Sequence, residues 1–214
     1  MSSIKFAKCL TASHLCAMSE TGVLEDLLRK VRGCRHCEAH LPQGARPVVQ
    51  AGGKARIVVI GQAPGSRVHA SGIPWDDDSG DRLRGWLGMD KAQFYDPEIL
   101  ALVPMGFCYP GKASGGDLPP RPECAPLWHE ELLSRMPNLQ LTLLVGQYAQ
   151  KAYLPPALRR SMTEAVQRIG DLPDGIFALP HPAWRSRFWM AKHPWYEAEI
   201  LPQLRASVQA AIDA

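Results

Sequence analysis

Apolar residues near the start of the chain recur with the period of a helix. Five of them precede Gly33, which predicts a helix that ends at this glycine: Val23, Leu24, Leu27, Leu28 and Val31. Residues 56–61 form instead a continuous β-branched run, Arg-Ile-Val-Val-Ile-Gly. Such a run is typical of a strand that is buried on both faces of a parallel sheet.

Strand and helix patterns alternate through the rest of the chain. Strands are predicted at residues 99–105, 139–145 and 175–179. Helices are predicted at residues 79–88, from Cys124 to about residue 136, from Gln147, and at residues 195–212. This alternation predicts an α/β layered sheet with a ligand crevice beyond the carboxyl ends of its strands. Four loops that follow strands should then share one edge: residues 61–65, the Cys108 loop, Gly146 with Gln147, and His181.

The composition is that of a globular chain of ordinary size. With 214 residues, 46% of them hydrophobic, and no run of eighteen apolar residues, we expect one core and no membrane span. We predict an N-terminal arm at residues 1–20 and a single domain at residues 21–214. The N-terminus lacks an export signal, so the six cysteines indicate a reducing compartment. We therefore expect a cytoplasmic protein and a monomer, with Cys9 and Cys16 as free thiols.

Basic and aromatic residues alternate in one segment near the C-terminus. The formal net charge of +3 permits an anionic partner without requiring one. Arg185, Arg187 and Lys192 are interleaved with four aromatic residues: Trp184, Phe188, Trp189 and Trp195. This mixture suits a surface that binds phosphates and stacks on bases, and it equally suits an amphipathic surface with buried aromatics.

Four cysteines fall in two pairs, Cys34-x2-Cys37 and Cys108-x15-Cys124. A tight pair supplies two thiolates from one turn, and a second pair brought in by the fold would complete a site for a soft metal. Four unrelated buried thiols are the alternative. The glycine- and proline-rich surroundings of both pairs favour the shared metal site.

Two loop segments suit a ligand pocket. Residues 61–65, Gly-Gln-Ala-Pro-Gly, and residues 71–75, Ser-Gly-Ile-Pro-Trp, can bring backbone N–H groups and an aromatic face to a ligand. The lysine of a phosphate-binding loop is missing, which disfavours nucleotide hydrolysis. The alternative to a pocket role for Trp75 is that it is simply a core residue. His181, held between two prolines, can donate a hydrogen bond to a developing anion or serve as a structural histidine.

Together these motifs resemble the uracil-DNA glycosylase superfamily, and specifically its iron–sulfur branch, often called family 4. The resemblance runs from about Gly33 to the C-terminus. It rests on the CxxC turn, the Gly-Gln-Ala-Pro-Gly loop, Ser-Gly-Ile-Pro-Trp in place of Thr-Gly-Arg-Pro-Phe, the Cys-x15-Cys pair with Pro-Gly after its first cysteine, and the final His-Pro. It implies a three-layer αβα sandwich around a central, mainly parallel, four-stranded sheet.

The resemblance also implies roles for the residues that carry it. Four cysteines would bind a structural [4Fe-4S] cluster, with zinc as the alternative metal: Cys34, Cys37, Cys108 and Cys124. Trp75 would stack on a flipped base and His181 would hydrogen-bond the base O2. Five residues of the first loop would line the pocket: Gly61, Gln62, Ala63, Pro64 and Gly65. Residues 183–187 would enter the minor groove, with phosphate contacts from Arg185, Arg187 and Lys192 beside an inserted Trp184.

The sequence departs from the family pattern at three places. Gln62 stands where iron–sulfur members usually carry glutamate, and His69 stands where many carry aspartate. The base-reading asparagine is replaced near Pro104 and Met105. We expect His69 to orient the attacking water in place of the missing carboxylate.

Three functions are compatible with these residues. The first is a DNA glycosylase that removes uracil or another deaminated or damaged base. The second is a catalytically silent iron–sulfur protein that binds DNA lesions or ends. The third is a redox or metal-storage protein, which would lack affinity for DNA.

Overall fold

A computed structural model describes residues 20–159 and 161–214. Its helices are α1 Glu20–Arg32, α2 Ser66–Ser71, α3 Asp78–Leu87, α4 Lys91–Tyr95, α5 Cys124–Ser134, α6 Gln147–Tyr153, α7 Met162–Gln167, α8 Ser186–Lys192 and α9 Leu201–Asp213. Its strands are β1 Ile57–Ile60, β2 Leu100–Leu102, β3 Lys112–Ala113, β4 Gly116–Asp117, β5 Leu141–Val145 and β6 Ile176–Leu179. The predicted arm and both of its cysteines lie outside the described residues, except Glu20, where α1 begins.

Four parallel strands form the central sheet in the order β2-β1-β5-β6. Every residue of β1 and of β2 is buried, as is all but one of β5, so helices cover both faces of the sheet. The predicted α/β fold is therefore confirmed, and the sheet is parallel throughout. The chain runs from β1 outward to β2 and then returns past β1 to β5, which makes the β1–β5 boundary a topological switch point.

The predicted strands and long helices are present, with shorter strands than the patterns indicated. The closing helix starts with a π-helical turn, Tyr196–Ile200, before α9. Pro202 lies near the start of α9, where the missing N–H costs least. Within the described part of the chain, no helix is long and apolar enough to cross a bilayer.

Four short helices were not predicted: α2, α4, α7 and α8. Each has only five to seven residues, too few to show a hydrophobic period. The antiparallel hairpin β3–β4 was also not predicted. It is exposed, and the Ser114-Gly115 turn between its strands was its one local signal.

Candidate functional site

A cleft of about 770 Å³ opens at the carboxyl ends of β1 and β5. Ligands of open α/β sheets bind at such switch points, and a volume of this size accommodates a nucleoside-sized group. Nine predicted site residues line it: Gly61, Gln62, Ala63, Pro64, Gly65, Trp75, His181, Trp184 and Arg185. The expectation that loops following different strands share one edge is thus met by residues 61–65, by Gln147 and by His181, whereas Cys108 lines a different pocket.

Trp75 is held in this cleft by a strained backbone. Its φ of 57° lies in the left-handed region, which a bulky residue adopts only where its surroundings impose it. A Cβ on Gly61 would lie 2.8 Å from the indole Cζ2, and a Cβ on Gly80 would lie 1.8 Å from the Trp75 carbonyl oxygen. Two glycines therefore make room for the tryptophan. Trp75 also packs against the core, so its two expected roles, core residue and pocket wall, coexist.

His181 faces Trp75 across the floor of the cleft. The ring centroids are 5.9 Å apart and the planes are inclined by 31°. Burial lowers the pKa of His181, and the negative charge of Asp77 opposes that shift. The imidazole is thus neutral at neutral pH and carries one N–H that can donate to a ligand.

The backbone around His181 is fixed from two sides. Arg82 of α3 donates from Nη1 to the Pro182 carbonyl oxygen at 2.6 Å. Gly146, which follows β5, donates its N–H to the Leu179 carbonyl oxygen at 2.8 Å. Sequence reasoning missed Arg82, because its partner lies 100 residues away in the chain.

The β3–β4 hairpin forms one wall of the cleft, and Arg185 joins it to the wall that carries Trp184. The Arg185 guanidinium donates to the Gly115 carbonyl oxygen at 3.1 Å and lies 5.4 Å from the Trp184 ring centroid. The hairpin adds Lys112 and Asp117 to the cleft lining. Neither was predicted, since the hairpin itself was not.

Two carboxylates line the cleft beside the first loop. The Oδ2 atoms of Asp117 and Asp77 lie 3.5 Å and 3.8 Å from the position that a Cβ of Gly65 would take. Asp77 caps α3, because its Oδ1 accepts from the Gly80 N–H at 2.9 Å. Burial raises the pKa of Asp117, and the neighbouring Asp77 raises it further, while Lys112 and the Tyr109 hydroxyl lower it.

A comparison with protein families matches residues 49–205 to the uracil DNA glycosylase superfamily. The chain belongs to this superfamily. The match spans the four-stranded sheet, the cleft and the exposed aromatic segment. The superfamily is one of DNA glycosylases, hydrolases of DNA repair that act on DNA.

Three residues predicted for the glycosylase site lie outside the cleft lining. His69 belongs to α2 and its ring centroid is 6.0 Å from that of Tyr109. Its Nδ1 is buried without a hydrogen-bond partner among the described residues. The water-orienting role of His69 stays a prediction. Arg187 and Lys192 are exposed on α8, beyond the cleft.

The four predicted cysteines line a second pocket. Cys34 and Cys37 follow α1, Cys108 follows the β2 edge of the sheet, and Cys124 begins α5. The Phe107 N–H donates to the Cys124 Sγ at 3.3 Å. The two pairs thus share one location, as their spacing predicted.

The four thiols do not converge on one point. Across residues 20–159 and 161–214, no three His, Cys, Asp or Glu side chains are placed to hold a single metal ion. Burial raises the pKa of Cys108 to about 11 and that of Cys124 to about 12. Both are therefore neutral thiols unless a cation offsets the cost of ionising them.

Proposed function

We propose that this protein hydrolyses the N-glycosidic bond of uracil or another deaminated or damaged base in DNA, as the first step of base excision repair. The arrangement of Trp75 and His181 carries the proposal: an aromatic face and a neutral hydrogen-bond donor meet at the switch point of the sheet. A flipped base needs such a pair, one group to stack on and one to hydrogen-bond its edge.

The leaving base is the centre of negative charge in this reaction. As the C1′–N bond breaks, its electron pair moves to the base, and the sugar becomes oxocarbenium-like. A preorganised donor aimed at the base lowers the barrier. His181 suits this task because its half-buried ring is neutral and the adjoining Pro182 carbonyl is held by Arg82, so its N–H is already in place.

The first loop supplies the rest of the pocket. Gln62 and Ala63 are half-buried in the cleft, and Pro64 and Gly61 are buried beneath it. Gly65 lacks a side chain where the two carboxylates approach. We assign these five residues to binding of the flipped nucleoside.

The exposed aromatic segment serves DNA binding in this proposal. Trp184 and Phe188 are 56% and 59% exposed, and their rings meet edge to face at 5.7 Å. Large apolar side chains in such a position can fill the gap that a flipped base leaves in the duplex. Arg185, Arg187 and Lys192 supply positive charge for phosphates on either side.

We further propose that Cys34, Cys37, Cys108 and Cys124 hold a [4Fe-4S] cluster. An all-thiol donor set fits the group. A structural zinc ion, which takes the same four thiolates, is the alternative metal. When bound, the cluster would link the loop after α1 to the start of α5. It would take no part in the hydrolysis.

The test of the activity starts with anaerobically purified protein whose iron content and visible absorption are recorded. Single- and double-stranded oligonucleotides that contain uracil or hypoxanthine are incubated with it and then cleaved by alkali at abasic sites. We expect strand breaks at the modified base. The loss of one anion-stabilising donor costs about 10²–10³-fold in rate, so His181→Ala should slow base release by this factor. His40→Ala, at an exposed histidine outside the cleft lining, should not.

A catalytically silent protein that binds DNA lesions is the second candidate function. One observation favours it: residue 62 is glutamine and not a carboxylate. Intact strands with every base tested, together with bound DNA and a full complement of iron, would support it and refute the glycosylase.

A further inference from the structure

Hydrolysis needs an acceptor for the proton of the attacking water, and the cleft offers two carboxylates. Asp77 and Asp117 both line it. Asp77 has a structural role in α3, because one of its carboxylate oxygens caps the helix by accepting from the Gly80 N–H. Asp117 lies instead on the exposed hairpin that lines the cleft.

The hairpin fixes Asp117 beside Gln62. The Gln62 Nε2 donates to the Leu118 carbonyl oxygen at 3.4 Å, so the side chain at position 62 reaches the residue that follows Asp117. The Leu118 N–H donates to the Gly111 carbonyl oxygen at 2.9 Å and closes the base of the hairpin. Asp117 is also paired in register with Lys112 on the neighbouring strand.

The Asp117 carboxylate lies close to the loop at residues 61–65 and is still accessible to solvent. Its Oδ2 lies 3.5 Å from the position of a Gly65 Cβ, which is van der Waals contact distance. The hydroxyl of Tyr109, a buried residue, lowers the pKa of the Asp117 carboxyl. The residue remains exposed to solvent, so water reaches it.

We propose that Asp117 orients and deprotonates the attacking water, an inference that rests on the glycosylase function proposed above. The water oxygen forms the new bond to C1′ while the C1′–N bond breaks and its electron pair leaves with the base. One proton of the water passes to the Asp117 carboxylate and then to solvent. The base anion, held by His181, takes up a proton on release, which completes the balance.

Asp117→Asn, Gln62→Glu and the double variant test this role. The substrate is the oligonucleotide whose base the wild-type protein releases, and the rate is measured in single turnover. A general base contributes about 10²–10⁴-fold, so Asp117→Asn should slow base release by at least about 100-fold. Because Asp117 is exposed, the variant should fold normally, which its melting temperature checks.

Gln62→Glu supplies the informative second change. The amide of Gln62 reaches the Leu118 carbonyl oxygen. A carboxylate at the same position cannot donate to that oxygen, so it would turn away from it but would still lie within one residue of the group that Asp117→Asn removes. We therefore expect the double variant to release the base at least about tenfold faster than Asp117→Asn alone. Asp78→Asn is the matched control: it removes the same charge from an exposed residue that pairs with Arg67 outside the cleft. Its rate should stay within about twofold of wild type.

Binding to DNA with an abasic site separates catalysis from affinity. The dissociation constant for this DNA should change by less than about threefold in Asp117→Asn, because the residue acts on water and not on the DNA. An Asp117→Asn variant that keeps the wild-type rate would overturn this inference and leave the glycosylase function standing. A wild-type protein that releases no base would overturn both.

Discussion

Gly61→Ala tests whether the position of Trp75 determines activity. A Cβ at residue 61 would lie 2.8 Å from the indole Cζ2, and ordinary van der Waals contact begins at 3.4 Å. The ring must therefore retreat by about 0.6 Å or the loop must move by the same amount. Neither side can yield freely, since Trp75 already has a strained backbone and packs against the core.

The expected cost has two parts. Overpacking of this kind destabilises a protein by about 1–3 kcal/mol, which for a domain of this size lowers the melting temperature by about 2–4 °C per kcal/mol. The misplaced stacking surface costs more in activity: a displacement approaching 1 Å can cost about 100-fold in rate. We therefore expect base release in single turnover to fall by about 10- to 100-fold, with a folded protein remaining.

The matched control is Gly85→Ala in α3, where an added Cβ meets nothing within 4 Å. Alanine in a helix is favoured over glycine by about 1 kcal/mol, so this variant should melt at the same or a higher temperature and keep its rate. A Gly61→Ala protein with wild-type rate and melting temperature would refute the reasoning, because it would show that Trp75 tolerates the intrusion.

Three further predictions concern other parts of the molecule. Burial lowers the pKa of His129 to about 4, so as the pH falls the unfolded chain takes up a proton at a higher pH than the folded protein does. The free energy of unfolding, measured with denaturant, should therefore fall by about 3 kcal/mol between pH 6.5 and pH 4, and His129→Gln should remove this pH dependence. Trp184→Ala should slow base release about tenfold from duplex and less than threefold from single strands, with exposed Leu127→Ala as control. Gln150→Leu removes buried hydrogen bonds to the Leu144 and Leu179 carbonyls and should cost about 1–3 kcal/mol in thermal unfolding.

Local chemistry made much of the fold predictable. The β-branched run at residues 57–60 became a fully buried strand, because a strand covered on both faces needs apolar residues at every position. The glycine after residue 87 ended α3 in the left-handed conformation, as glycine does most easily. The monomeric state and the cytoplasmic location stay predictions.

The elements that were missed lacked a local signal. Helix α2, Ser-Arg-Val-His-Ala-Ser, has one buried residue and so shows no apolar face. The β3–β4 hairpin is exposed at every strand position, and neither strand alternates between apolar and polar residues over a useful length. Asp117 could not be assigned to the cleft without this hairpin.

The sequence by itself determined which residues are available for chemistry: the loop at residues 61–65, Trp75, His181 and the two cysteine pairs. Only the tertiary structure decided which of them meet. It brought Trp75 to His181, added Asp117 from the hairpin, left His69 outside the cleft and held the thiols apart from any single point. The physical reason is that hydrophobic period and turn chemistry report each segment's own burial, whereas the distance between remote side chains is set by how the strands are ordered and the helices packed.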